Sequence, residues 1–217
     1  KTLTAQLNLA SKPNMASPFF IKAKIDDNEA IIMMDTGPSP DILLHNVDTM
    51  GVNLEDVNVI ALSHGHYDHT GGLIEALKRM KKRVPVIGHP TVFEPKLSLM
   101  PHLRLIGAPF RSSDVESAGG VPILATDPVK IADGITTTGE VPRTTAFERV
   151  TGFWAVHNRR FVEDLMLDDQ SLVIDVEGKG LVVVAGCAHA GIINTIKYAQ
   201  KITGNSMVYA VLGGFHL

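Results

Sequence analysis

The sequence predicts an α/β protein, an αββα sandwich of two mixed sheets packed face to face with helices outside. Three observations lead to that fold. Apolar strand pairs stand near both ends of the chain, at 19–34 and 171–185. Each pair is followed by a histidine-bearing loop, a helix and a further strand. The two halves therefore run in parallel: His69-Thr70-Gly71 answers His189-Ala190-Gly191, and His89 answers His216. Identity between the halves is low, so the repeat is one of architecture.

In chain order, the first seventeen residues show no clear period. Phe19–Ile25 and Ala30–Met34 read as strands, with Asp26-Asp27-Asn28-Glu29 as the hairpin turn. The second strand stops at Asp35-Thr36-Gly37-Pro38, a run rich in breakers. Asp35 there reads either as a solvated turn residue or as a carboxylate orienting a ligand histidine from behind. Asp41–Met50 has helical spacing, with Asp41 as N-cap and Gly51 as the stop. Val57–Leu62 reads as a buried strand and Leu73–Met80 as a helix.

Between them lies Ser63-His64-Gly65-His66-Tyr67-Asp68-His69-Thr70-Gly71-Gly72, with three histidines and an aspartate spaced H-x-H-x-D-H. Neutral imidazoles and a carboxylate suit zinc, iron or another transition ion. So tight a loop cannot aim four side chains at one ion, and the spacing suggests ligands shared between two. The loop follows a strand, where open sheets place their chemistry.

Lys81-Lys82-Arg83 complements the end of the helix dipole, and Val84–Gly88 is a short strand before His89. From about Thr91 to Leu167 prolines interrupt every pattern, so a single domain over 1–217 with a functional insertion or lid at about 91–167 is expected. Within it, Gly134–Thr138 is a β-branched strand ending in a glycine turn that carries Glu140 and Arg143. These two are candidate substrate contacts, Arg143 for a phosphate or carboxylate; a surface salt bridge between them is the other reading. Order returns with the hairpin Ser171–Val176 and Leu181–Ala185, then Gly186-Cys187-Ala188-His189, an amphipathic helix through Ile192, Ile196 and Ala199, and the strand Met207–Leu212 before His216. A sandwich brings His189 and His216 to the first histidine loop. His45, His102 and His157 read as ordinary polar residues, and His89 as a substrate contact at the active edge.

Composition narrows the classes of function. Hydrophobic residues make up 45% and charged residues 20%, enough for a real core. A net charge of −3 provides no footprint for nucleic acid. One cysteine, Cys187, rules out an intrachain disulfide and suits a reducing cytoplasm. No apolar run is long enough to span a bilayer, and no signal-peptide pattern opens the sequence.

The H-x-H-x-D-H loop with Asp35-Thr36-Gly37 upstream resembles the metallo-β-lactamase superfamily. Thr138–Arg143, Asp168-Asp169-Gln170-Ser171-Leu172, Gly186–Gly191 and Gly213–Leu217 resemble one subfamily of metal-dependent hydrolases and dihydropteroate-synthase-like proteins. One activity there is formation of the dihydropterin–ribofuranosylaminobenzene phosphate conjugate of methanopterin biosynthesis. The resemblance implies two divalent ions, zinc first, with iron or manganese as alternatives. It implies His64, His66 and His189 on one ion and Asp68, His69 and His216 on the other, with Asp68 also catalytic. Many relatives bridge their ions with an aspartate where this chain has Gly186-Cys187, so the bridge falls to Cys187, His189, Asp168, Asp169 or water. The implied function is a two-metal hydrolase or transferase acting on a small, phosphorylated, anionic substrate. A non-haem iron redox enzyme and a non-catalytic metal- or ligand-binding module are the alternatives.

Overall fold

Strand β1 (Leu3–Asn8) opens the chain, in a stretch whose polar pattern predicts no element. It pairs antiparallel with β2 (Phe19–Ile25), which turns into β3 (Asn28–Met34). The computed structural model describes residues 3–8, 17–25, 28–99 and 101–216. The expected turn at Asp26 and Asp27 lies outside them.

Helix α1 (Pro40–Met50) begins one residue before the expected start. Its N-cap is Ser39, whose Oγ accepts from the Ile42 amide at 3.4 Å, and not Asp41. Pro40 explains the shift, because its fixed φ and missing N–H suit the first helical position. Gly51 ends the helix at φ 63°, as expected. Strand β4 (Val59–Ala61) is the middle of the predicted apolar run. A single helical turn, α2 (Tyr67–Thr70), precedes α3 (Leu73–Met80), which buries Leu73, Ala76, Leu77 and Met80 on one face. Strand β5 (Val84–Gly88) follows.

The segment 91–167 contributes to three sheets. It holds β6 (Lys96–Ser98), β7 (Arg104–Leu105), α4 (Ser112–Ser117), β8 (Gly120–Leu124), β9 (Lys130–Ala132), β10 (Ile135–Thr137), β11 (Phe153–His157) and β12 (Arg160–Glu163). Then come β13 (Ser171–Val176), β14 (Gly180–Ala185), α5 (Ile192–Thr203) and β15 (Val208–Leu212).

The first sheet has the order β1-β2-β3-β4-β5-β8, antiparallel on one side and parallel from β3 onward. The second is β15-β14-β13-β10-β9, mixed because β14 and β15 run parallel. A small third sheet, β12-β11-β6-β7, is antiparallel throughout.

Period-2 alternation sorts side chains between layers. On β3, Ile32 and Met34 face the second sheet while Met33 faces the helices. Leu172 and Ile174 on β13, with Val182 and Val184 on β14, meet them in the middle. Val173, Leu181 and Val183 point the other way, onto Ala199 of α5. The layers are therefore helix, sheet, sheet, helix. Truncating one of these central aliphatics to alanine would cost about 2–5 kcal/mol. No helix among the described residues is long and apolar enough to cross a membrane.

Candidate metal centre

Strand β4 delivers the first histidine loop at its carbonyl end, and β14 delivers the second from the opposite sheet. Gly65 is required by close approach: a Cβ there would lie 2.1 Å from the Val92 carbonyl oxygen. Its N–H donates to Asp168 Oδ2 at 2.8 Å, which fixes the backbone between His64 and His66.

His64, His66 and His189 each offer a ring nitrogen, and these atoms lie within 4.8 Å of one another. All three residues are buried, and His64 Nε2, His66 Nε2 and both nitrogens of His189 have no hydrogen-bond partner. Buried polar atoms are rarely left unpaired. Burial, reinforced by neighbouring positive groups, holds His66 down at about 2 and His189 at about 3, and pulls His64 well below the usual histidine range. Neutral imidazoles with bare lone pairs facing one point are the chemistry a divalent metal needs. The donor set fits such an ion.

A second convergent group is His64, His69 and Cys187. Asp35, at φ 60° and 1% exposed, organises it. Its Oδ1 accepts from the Ser63 amide and its Oδ2 from Ser63 Oγ and His69 Nδ1, each at 2.7 Å. A carboxylate can only accept, so Nδ1 of His69 carries the proton. The one hydroxyl hydrogen of Ser63 is donated to Asp35, so its oxygen accepts from His64 Nδ1 at 3.0 Å. Both rings therefore turn Nε2 to the cluster. Burial pulls His69 down, but the Asp35 charge and hydrogen bond, aided by Cys187, outweigh it and hold the ring well above the ordinary range. His69 Nε2 lies 3.1 Å from Cys187 Sγ.

Asp68 and His216 lie outside both groups, though near them. Asp68 Oδ2 is 3.7 Å from His69 Nε2, with its side chain 30% exposed. The His216 ring centroid is 4.8 Å from that of His189. Of the carboxylates considered as a bridge, Asp168 is turned to Lys96 and Gly65. Asp169 Oδ2 accepts from the Ala190 amide at 2.8 Å while Oδ1 is unpartnered; burial raises its carboxyl to about 7.

The candidate substrate contacts separate. Glu140 Oε2 is 3.6 Å from His89 Nε2, not paired with Arg143. Arg143 turns inward, donating to the Met166 carbonyl at 3.0 Å, with Nε buried and unpartnered. His45 and His102 are exposed, and His157 bonds Glu94.

Phe153, from β11 of the third sheet, was not legible as a site residue. Its ring centroid lies 5.2 Å from His66, 5.4 Å from His189 and 5.9 Å from His216. Glu148 is another: its carboxylate accepts from the amides of Ile193 and Asn194, capping α5 beside His189. Gly191, at φ 94°, makes room, since a Cβ would sit 2.3 Å from Glu148 Oε2. Phe147, Ile193, Phe215, His189 and His216 border a pocket of about 320 Å³ there.

Histidines and a thiol that could hold a divalent metal, gathered at the strand ends of an αββα sandwich, define the class of protein. The sequence matches the Metallo-beta-lactamase superfamily over residues 14–191, and the chain belongs to that superfamily. It is 36% identical over 205 residues to the 7,8-dihydropterin-6-methyl-4-(beta-D-ribofuranosyl)-aminobenzene-5'-phosphate synthase of Methanocaldococcus jannaschii, covering 92% of this chain and 69% of the relative. Among solved structures, a metal-dependent hydrolase of the beta-lactamase superfamily superposes with a TM-score of 0.73 at 25% identity, over 96% of this chain and 73% of the other. A quorum-quenching N-acyl homoserine lactone hydrolase shares the fold alone, with a TM-score of 0.51 at 15% identity, over 91% and 78% of the chains.

Proposed function

We propose that this chain is a two-metal enzyme acting on a small phosphorylated substrate, of the synthase type to which its 36%-identical relative belongs. The observation that carries the metal part is the set of unpartnered ring nitrogens of His64, His66 and His189 converging within 4.8 Å. In this reading those three hold one ion. Asp68, His69 and His216 hold the other, with Cys187 beside His69.

Bound ions would supply Lewis acidity toward a phosphoryl or pyrophosphate oxygen and lower the pKa of a water. The chain supplies the rest. Asp35 and Ser63 fix the tautomers of His69 and His64. Asp68, partly open to solvent, takes the proton from the attacking group. Arg143 neutralises phosphate charge, and Glu140 beside His89 contacts the remainder of the substrate. Phe153 keeps water from one side of the cluster.

The test is a metal-stripped preparation reconstituted with zinc, manganese or iron and given a dihydropterin pyrophosphate with ribofuranosylaminobenzene phosphate. Metal-dependent release of pyrophosphate, with the conjugate seen by mass spectrometry, is expected. The metal-dependent hydrolase of known structure favours a second reading, which predicts cleavage without a conjugate. Metal-loaded protein that does neither would remove both.

A further inference from the structure

Three consecutive residues just before β13 reach both histidine loops. Asp168 Oδ2 accepts from the Gly65 amide at 2.8 Å, and Asp169 Oδ2 from the Ala190 amide at 2.8 Å. Gln170 donates through Nε2 to the Leu62 carbonyl and through its own amide to the Ser63 carbonyl, each at 2.9 Å. All three are buried, at 0%, 1% and 3% exposure. Their bonds on the loops go to backbone, on either side of the candidate ligands.

Lys96 balances this charge from β6 of the third sheet. It is 1% exposed, with Nζ 3.0 Å from Asp168 Oδ1 and 2.8 Å from Asp164 Oδ2. Buried ion pairs are costly to desolvate, and apolar residues of similar volume often stabilise as well or better. A network of this kind therefore needs a reason other than stability. The two loops ride on separate sheets and meet through side chains at His69 Nε2 and Cys187 Sγ, 3.1 Å apart; this tripeptide adds a tie to the backbone of both.

We propose that Asp168-Asp169-Gln170 is a clamp that sets the spacing of the two histidine loops, with Lys96 as its counter-charge, and so sets the affinity of the centre for divalent metal. These are positioning residues. The proposal rests on the metal reading above, and the experiment separates the two.

Zn2+ affinity is measured by chelator competition, and Co2+ is used as a spectroscopic probe of ligand geometry. Asp169→Ala is expected to lower Zn2+ affinity about 10- to 100-fold, the usual cost of losing a group that supports a ligand. It should also shift the Co2+ visible bands. Asp169→Asn keeps an oxygen for the Ala190 amide and should recover most of the affinity. Gln170→Met keeps the volume and deletes the bond to Leu62; it should give a smaller loss in the same direction, and it carries the test should Asp169→Ala not fold. Val115→Ala, a destabilised control in the outer core, should leave the affinity of the folded protein unchanged. In metal-free protein, the Ala190 amide should exchange with solvent about tenfold faster in Asp169→Ala. Wild-type affinity and spectrum in both clamp variants would overturn the clamp alone. Wild-type protein that takes up no Zn2+ would overturn the metal reading and the clamp with it.

Discussion

Asp35 Oδ2 holds His69 Nδ1 at 2.7 Å, and the opposite nitrogen of that ring faces Cys187 Sγ at 3.1 Å. The carboxylate thus decides which lone pair the ring can offer. Asp35→Ala should leave His69 free to rotate or change tautomer and lower metal affinity about 10- to 100-fold. Chelator competition checks this, and unchanged affinity would reduce Asp35 to a loop-bracing residue.

Acid should destabilise the metal-free protein. His64, His66 and His189 are neutral when folded, His66 near 2 and His189 near 3, mainly because burial disfavours their charge. In the unfolded chain they titrate near 6.5, so below about that pH the unfolded state binds more protons and stability falls. The slope reaches about 1.4 kcal/mol per pH unit for each ring. His69 and Asp169 run the other way: the raised His69 value gives a contribution that is full below about 6.5 and is lost as pH rises through that raised value, and the Asp169 carboxyl, raised by burial to about 7, favours the folded state as pH falls below that value. Urea unfolding with chelator at about pH 7 and about pH 5 reads the sum, and equal midpoints would contradict it.

Asp68→Asn should preserve the fold, since the side chain is partly exposed on a short turn and its size is kept. Turnover should drop by about 10²-fold or more, the scale of a lost proton acceptor. Activity within a factor of a few of wild type would take Asp68 out of the chemistry.

Arg143→Ala should cut kcat/KM for a phosphorylated substrate by about 10- to 150-fold, matching about 1.5–3 kcal/mol for a hydrogen bond to a charged group. Metal content should stay as in wild type. Equal kinetics would leave Arg143 as a brace for the Met166 carbonyl.

Glu148→Ala removes the cap on α5 and should cost about 0.5–2 kcal/mol. For a chain of this length that lowers Tm by about 2–4 °C per kcal/mol, measurable by calorimetry. An unchanged Tm would mean that water replaces the carboxylate at the helix end.

The central elements were legible because their periods are clean. Val173, Leu181 and Val183 alternate with Leu172, Val182 and Val184, and α3 runs over the predicted Leu73–Met80. The histidine loop was legible because its spacing has few other uses. The third sheet was not. Its strands are two to five residues long and carry outward apolar side chains such as Phe161, 52% exposed, so neither length nor alternation reveals them. Phe153 and Lys96 were hidden for the same reason. Asp168 reads in the sequence as a spare carboxylate for an ion, because sequence does not tell that its oxygens are taken by the Gly65 amide and Lys96, whereas Asp169 gives one oxygen to the Ala190 amide and keeps Oδ1 unpartnered.

His64 and His66 ride on the first sheet and His189 on the second, so the two halves of the sandwich share one coordination sphere in the proposed centre. An ion there acts as a clasp between layers, and occupancy becomes a gauge of how firmly the layers are closed. By mass action, free metal at 100 times its Kd would add about 2.7 kcal/mol to the closed form. A substitution deep between the sheets, such as Ile174→Ala, would then be felt by the ion without touching any ligand, and scarce metal would loosen the whole sandwich as well as silence its chemistry.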